Sequence, residues 1–176
     1  MPKKLLIIDG NSIVNRAFFG VRPLTTRDGL PTNAVYGFLT ILHRHLTAVN
    51  PDYAAIAYDL REPTFRHKLY DGYKANRHGM PDELAAQMPW AKKCAHALGL
   101  TELTLAGYEA DDILGTMARR AEEAGAECCI LTGDRDSLQL ISDTTCVLLA
   151  TNTETLTMDR RAFSEKYGIR PEQFVD

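Results

Sequence analysis

Short apolar runs alternate along this chain with longer segments whose apolar residues recur at helical spacing. The runs predict strands at residues 5–8, 53–58, 101–105, 128–131 and 145–149, with an edge strand at 154–158. The helical pattern predicts helices over 11–19, 34–49, 81–98 and 109–124 and a last one ending at 167. Asn11 or Ser12 would cap the first helix and Asp159 the last. A loop at 20–33 and a polar, basic stretch at 61–79 show neither pattern.

Strands that alternate with helices, without tight hairpins in the first part of the chain, predict an α/β fold. We expect a mostly parallel, twisted sheet with helices on both faces. The length of 176 residues suits one domain, and 45% hydrophobic with 24% charged residues is ordinary for globular proteins. No run of about 18 apolar residues occurs, and the chain enters a strand directly rather than through a signal peptide, so we expect no membrane association.

Charge and cysteine content narrow the class of protein only a little. A net charge of −3 would by itself argue against nucleic-acid binding, but the acids and bases are concentrated in different segments. The cysteines have neither metal-site nor disulfide-framework spacing. We therefore expect buried free thiols in a reducing cytoplasm at all four positions, Cys94, Cys128, Cys129 and Cys146.

Seven carboxylates stand where a strand should end or a helix should begin: Asp9, Asp59, Glu109, Asp111, Asp112, Asp134 and Asp136. Because the carboxyl ends of parallel strands share one edge of the sheet, we expect these acids to meet there. Two unit charges about 4 Å apart repel by roughly 4 kcal/mol at an effective dielectric near 20, so such a cluster needs a counter-charge. Oxygen-only ligands favour Mg²⁺, or Mn²⁺ in its place, over zinc. The sequence thus predicts a metal-dependent phosphate chemistry.

Each acidic group also has a purely structural explanation. Acids in the first turn of a helix favour its macrodipole, and at the predicted helix start Glu109 and Asp112 share a face while Asp111 projects from a neighbouring direction. An Asp after a strand can form a turn, and Asp134 and Asp136, two apart in an extended segment, would point the same way. It is the joint occurrence at four strand ends that favours one shared site.

Other chemistries have weaker support in the sequence. Ser12 lacks a histidine–acid partnership, and neither Gly-x-Ser-x-Gly nor a phosphate-binding glycine-rich loop occurs. A phosphatase or phosphotransferase with Asp9 as nucleophile is one alternative, although such enzymes usually have a second Asp where this chain has Asn11. A module that binds branched DNA without catalysis is another.

The polar stretch at 61–79 combines cations with aromatic rings: Arg61, Arg66, Lys68, Lys74 and Arg77 with Phe65, Tyr70 and Tyr73. Cations meet phosphates, and rings stack on bases at about 1 to 3 kcal/mol each, so the stretch favours a nucleic-acid strand. A solvated loop whose aromatics pack on the core is the alternative. The position of the stretch directly after Asp59 would place it over the acidic site. Arg16 on the first helix could reach the entrance of the same site.

At these residues the chain resembles the bacterial 5′ nuclease family, most of all the 5′→3′ exonuclease domains at the N-terminus of bacterial DNA polymerase I. The resemblance rests on long motifs in the same order: Ile7-Ile8-Asp9-Gly10-Asn11-Ser12, Tyr58-Asp59, Phe65-Arg66-His67, Gly72-Tyr73-Lys74-Ala75-Asn76-Arg77, Gly107-Tyr108-Glu109-Ala110-Asp111-Asp112 and Leu131-Thr132-Gly133-Asp134-Arg135-Asp136.

The resemblance implies a PIN-like (resolvase-like) domain that cleaves 5′ flaps and trims 5′ ends, including RNA primer ends, in replication and repair. It implies that the seven acids hold two Mg²⁺ ions, some through water, and that residues 61–80 form an arch over the site. Within this resemblance, Lys74 and Arg77 are the expected catalytic cations. The expected DNA contacts are Arg16, Phe65, Arg66, Tyr73, Lys74 and Arg77. We expect a monomer.

Members of this family continue past the position matching Asp176 into a Gly-Asp-x-x-Asp-Asn segment with further metal-binding aspartates and a helical hairpin that grips duplex DNA. That segment is not in this sequence. We therefore expect one domain over residues 1–176 that is part of a longer polymerase chain. Without those aspartates, binding of branched DNA without catalysis stays open.

Overall fold

The computed structural model describes residues 2–70, 72–74, 79–151 and 154–174. Six strands form one sheet: β1 (Lys4–Asp9), β2 (Tyr53–Ala57), β3 (Thr101–Leu103), β4 (Glu127–Thr132), β5 (Thr145–Ala150) and β6 (Thr155–Met158). Their order is β3-β2-β1-β4-β5-β6. The first five strands run parallel and β6 pairs antiparallel with β5 at the edge. The predicted α/β fold with a mostly parallel sheet is confirmed.

The described residues form six α-helices: α1 (Gly10–Gly20), α2 (Asn33–Val49), α3 (Phe65–Leu69), α4 (Asp82–Ala97), α5 (Ala110–Glu123) and α6 (Arg160–Tyr167). Side chains alternate across β1, so that Leu5 and Ile7 pack with α5 and α6 on one face. Leu6 and Ile8 pack with α1, α2 and α4 on the other. The two buried clusters therefore cover both faces, as expected.

The order of the strands determines where a ligand can enter. The chain builds β1, β2 and β3 in one direction and then returns to add β4 and β5 on the other side of β1. The connections that leave β1 and β4 therefore diverge, and they open a crevice at the carboxyl ends of these two strands. Asp9 ends β1, and Asp134 follows β4 by two residues.

The backbone of Gly10, the first residue of α1, lies directly against the ring of Tyr58. A Cβ atom on Gly10 would lie only 2.2 Å from Cε1 of Tyr58, whose ring is fully buried beside it. Glycine is therefore the residue that lets α1 begin directly after β1. The Asp9 carboxylate caps this helix by accepting a hydrogen bond from the Ser12 amide, so the expected cap at Asn11 or Ser12 is wrong by two or three residues. The Asp159 cap is confirmed, because its carboxylate accepts from the Ala162 amide.

Three short elements were not predicted: α3 and two 3₁₀ helices, Asp136–Leu140 and Pro171–Gln173. One turn of helix is too short to show a hydrophobic period. Among the described residues, no helix is both long and apolar enough to cross a bilayer.

Candidate active site

Four of the seven predicted carboxylates surround one polar cavity of about 240 Å³, which we call the acidic cavity. They come from four separate parts of the fold. Asp9 ends β1, Asp59 follows β2 by two residues, Asp111 lies in the first turn of α5 and Asp134 lies in the turn after β4. The lining residues are Asp9, Asn11, Ser12, Asn15, Asp59, Lys74, Ala110, Asp111 and Asp134. The expected convergence of distant acids at the carboxyl ends of the strands is thus present for Asp9, Asp59, Asp111 and Asp134.

Asp9 forms the buried floor of the acidic cavity. One carboxylate oxygen accepts from the Ser12 amide at 3.0 Å, and the other accepts from the Thr132 hydroxyl at 2.9 Å. Burial raises the pKa of Asp9 to about 6, against the lowering effect of these two hydrogen bonds, and the charges of Asp59 and Asp134 raise it further. A buried carboxylate with both oxygens engaged is poorly placed to attack phosphorus, which argues against Asp9 as a nucleophile.

Thr132 and Ser12 connect the two strands that meet at the crevice, and neither was predicted as a site residue. The Thr132 hydroxyl donates to Asp9 and accepts from the Asp134 amide at 3.0 Å. The Ser12 hydroxyl accepts from the Gly133 amide at 3.0 Å. The sequence signal that could have identified Thr132 is the Thr-Gly turn after a buried strand. A hydroxyl at that position can donate one hydrogen bond and accept another, and so contact groups from both strands.

Asp59 and Asp134 each combine a structural hydrogen bond with a place at the cavity. The Asp59 carboxylate accepts from the amide of Ala110, the first residue of α5, at 2.7 Å. The Asp134 carboxylate accepts from the Asp136 amide at 3.1 Å, which is the expected aspartate turn. The structural explanation and the shared-site explanation are therefore compatible at these positions.

Asp111 differs from its neighbours because no donor among the described residues hydrogen-bonds its carboxylate. Desolvation raises its pKa to about 7, and the charges of Asp9, Asp134 and Asp59 add to that effect, although the residue is partly exposed at the cavity mouth. Lys74 is the cation that opposes this repulsion. The donor set here is oxygen only and carries excess negative charge, so it fits a hard divalent cation.

Glu109 and Asp112 form a separate group with Lys74 and Arg66. The buried Glu109 carboxylate accepts from Lys74 Nζ at 2.8 Å and from the Tyr73 hydroxyl at 3.0 Å. Arg66 donates two hydrogen bonds of 2.8 Å to Asp112. Burial acts to raise the pKa of Glu109, but Lys74, Tyr73 and Arg66 outweigh it and leave that pKa lowered. The Arg66 hydrogen bonds are the main cause of the lowered pKa of Asp112.

Asp136 lies outside the acidic cavity, so the expectation that it points the same way as Asp134 is wrong. Arg135 between them has helical dihedral angles, φ −73° and ψ −23°, and Asp136 begins a 3₁₀ helix. The period of two holds only in extended backbone. Asp136 instead faces a neighbouring cleft of about 430 Å³ that it shares with Arg66, Asp111 and Asp112.

Within the described ranges, no three His, Cys, Asp or Glu side chains are placed to hold one metal ion directly. The chemistry of the donor set fits a divalent cation, but the present spacing of the carboxylates does not form a complete coordination shell.

The described members of the predicted DNA-contacting set lie near the same edge of the sheet. Lys74 lines the acidic cavity in the left-handed backbone region, at φ 56°. The half-exposed Phe65 ring packs 5.6 Å from the Tyr108 ring and carries the Arg66 guanidinium 4.6 Å above its centroid. Arg16 donates to the Gly133 carbonyl oxygen at 3.3 Å, beside the cavity. Arg77 lies outside the described residues.

The fold and the acidic cavity define the class of the protein: an α/β domain with an acidic site at the carboxyl ends of a mostly parallel sheet. Residues 4–168 match the family described as "5′-3′ exonuclease, N-terminal resolvase-like domain". The chain belongs to this family, as its motifs indicated.

Curated proteins similar to this chain include bacterial DNA polymerases. The chain is 41% identical to DNA polymerase I of Bacillus subtilis over 99% of its own length, and 43% identical to that of Mycobacterium tuberculosis over 98%. It spans about a fifth of these relatives, 20% of each.

Solved structures support the fold. A complex of the bacteriophage T5 D15 flap endonuclease with DNA and metal ions superposes with a TM-score of 0.72, at 19% identity, over 98% of this chain and 64% of that one.

Proposed function

We propose that this domain hydrolyses DNA phosphodiester bonds at 5′ ends and 5′ flaps with the help of divalent cations, Mg²⁺ or Mn²⁺ as its substitute. The observation that carries the proposal is the acidic cavity, where Asp9, Asp59, Asp111 and Asp134 converge with more negative charge than Lys74 balances. Structural ion pairs do not need such an excess, whereas a site for a metal and a phosphate does.

These four aspartates would hold the cations, with Glu109, Asp112 and Asp136 contributing through water or after the arch moves. Bound cations would supply hydroxide from water and stabilise charge on the attacking and leaving oxygens, in a two-metal arrangement. Thr132 and Ser12 keep the Asp9 carboxylate oriented towards the cavity. Asp59 is held in place by α5.

The cations of the arch would position the substrate. Lys74 would neutralise the scissile phosphate, with Arg77 as its proposed partner; the position of Lys74 Nζ beside Glu109 and the acidic cavity supports this role. Arg16, Arg66, Phe65 and Tyr73 would contact the flap strand through charge and stacking. We assign the arch to residues 61–80 of a single domain.

The relatives suggest the setting in which the domain works. Because they are bacterial DNA polymerases of which this chain matches one fifth, we propose that it acts as the nuclease part of such a polymerase. Its substrates there would be flaps, nicks and RNA primer ends in cytoplasmic DNA, processed by a monomer.

The test is cleavage of a labelled 5′-flap substrate with increasing Mg²⁺ or Mn²⁺. We expect metal-dependent product, and a loss of about 100-fold or more in Asp111→Asn, since even indirect disturbance of a metal ligand costs 10- to 100-fold. Glu122→Gln is the matched control, because Glu122 is an exposed acid at the far end of α5. Equal cleavage by the two variants would contradict the proposed role of Asp111.

A second candidate function is recognition of branched DNA without cleavage. It is favoured by the pairing of Glu109 and Asp112 with Lys74 and Arg66, which leaves these acids neutralised in the described structure. The same titration separates the two functions. Flap binding without product at any Mg²⁺ or Mn²⁺ concentration supports the binding module.

A further inference from the structure

Two cysteine thiols on neighbouring strands face each other at the opposite end of the sheet from the acidic cavity. Cys129 of β4 and Cys146 of β5 are register partners, and the Cys146 thiol donates a hydrogen bond to Cys129 with the sulfurs 3.3 Å apart. They are 17 residues apart in sequence, so their spacing gave no sign of the contact. All four cysteines are free thiols, as expected, but the expectation that they are buried holds only for Cys128.

The position of the pair allows it to react. Neither thiol is fully buried, and both line an open cleft of about 300 Å³ that also contains Glu127, Ser142 and Asp143. Neighbouring strands lie about 4.8 Å apart, which falls within the range of about 4.4 to 6.8 Å between the Cα atoms of disulfides. The sulfurs need to approach by only about 1.3 Å to reach the bond length of about 2.0 Å.

We propose that Cys129 and Cys146 are a modification site, a dithiol that hydrogen peroxide converts to an intramolecular disulfide. The Cys129 sulfur attacks one peroxide oxygen, the O–O bond breaks, and the leaving oxygen departs as water after taking up the proton that the Cys129 thiol released. The Cys146 sulfur then attacks the sulfenic sulfur of Cys129. The S–O bond breaks, a second water leaves with the Cys146 proton, and one S–S bond forms. Two thiols are oxidised by two electrons and one H₂O₂ is reduced to two waters.

The direction of the hydrogen bond assigns the two roles. The thiol proton of Cys146 stabilises a thiolate at Cys129 and lowers the pKa of Cys129, and Lys4 acts in the same direction. Cys129 is therefore the attacking sulfur and Cys146 the resolving one.

The other two cysteines lack this arrangement. Cys128 also borders the cleft, but its side chain is buried in the cluster on the opposite face of the sheet, and Cys94 lies on α4. The ring closed by a Cys129–Cys146 disulfide would contain residues 130–145, and with them Asp134 and Asp136 of the β4–β5 connection.

The experiment is peroxide treatment of the reduced protein, followed by alkylation, intact mass and peptide mapping. We expect the wild type to lose two of its four thiols and about 2 Da, to give a Cys129–Cys146 linked peptide, and to recover on reduction. Cys146→Ala should instead accumulate sulfenic acid at Cys129, whereas the control Cys94→Ala should still lose two thiols.

The wild-type map is decisive even if Cys146→Ala folds poorly. Four alkylated thiols after peroxide treatment, or a linkage that uses Cys94, Cys128 or a second molecule, would overturn the proposal.

Discussion

The Asp59 carboxylate accepts a hydrogen bond of 2.7 Å from the backbone amide of Ala110. This contact joins the segment just after β2 to the first turn of α5 across 51 residues of sequence, and it satisfies a helix amide that has no partner within the helix. Asp59 therefore serves the stability of α5 as well as the acidic cavity, and substitutions can separate the two roles.

We expect Asp59→Asn to retain most of the stability, because its amide oxygen can still accept from Ala110, while metal-dependent cleavage falls with the lost charge. Asp59→Ala should lose cleavage and also about 1 kcal/mol in the free energy of unfolding, the usual cost of removing a helix-capping acceptor. Urea unfolding and flap cleavage of both variants check this. Equal stability of the Asn and Ala variants would show that the Ala110 contact contributes nothing.

The raised pKa of Asp111 predicts a specific pH dependence of the metal-free protein. Its pKa is about 7 in the folded state against an ordinary 3.8, so between these values the folded state binds more protons than the unfolded state. Stability from this group is therefore present at low pH and is lost as the pH rises through 7. We expect Asp111→Asn to be more stable than the wild type at pH 8, by on the order of 1 kcal/mol because solvent screens the partly exposed site.

Burial lowers the pKa of His45, so this residue makes the folded protein more stable as the pH rises through part of the same range. For this reason the wild type is compared with the variant. The stability difference between wild type and Asp111→Asn cancels that contribution. It should shrink at pH 5, and Mg²⁺ at pH 8 should stabilise the wild type more than the variant. A difference that does not change between pH 5 and pH 8 would contradict the electrostatic explanation.

Much of the fold and half of the site could be predicted from sequence, for identifiable physical reasons. Asp9, Asp59 and Asp134 follow apolar strands, and parallel strands bring their carboxyl ends to one edge whatever the details of packing. The pairing of Lys74 with Glu109 and of Arg66 with Asp112 was not predicted, since it joins residues 35 and 46 apart in sequence through tertiary folding. Asp136 was misplaced because a local turn, not a strand, follows Asp134.

We expect Arg66 and Asp112 to be energetically coupled by about 1 kcal/mol in a double-mutant cycle of Arg66→Gln and Asp112→Asn. Their two parallel hydrogen bonds are partly shielded from water, with 33% and 22% of the side chains exposed. Arg119 and Glu123 on the same helix are the matched control, because they are largely exposed and should couple by only about 0.3 kcal/mol. Equal coupling energies in the two cycles would mean that the Arg66–Asp112 contact contributes no more than a surface ion pair.

Gly10 should tolerate no side chain, because the buried Tyr58 ring occupies the space that a Cβ atom would need. Gly10→Ala should lower the free energy of unfolding by about 1 to 3 kcal/mol. It should also reduce cleavage, because a backbone displaced at residue 10 moves the adjacent Asp9. Gly20→Ala at the other end of α1 is the control, since nothing lies within 4 Å of its Cβ position and its stability should change little. Adding Tyr58→Leu to Gly10→Ala relieves the overlap, so the double variant should be more stable than the sum of the single effects. Additive losses in urea unfolding would show that the Tyr58 ring is not what makes glycine necessary here.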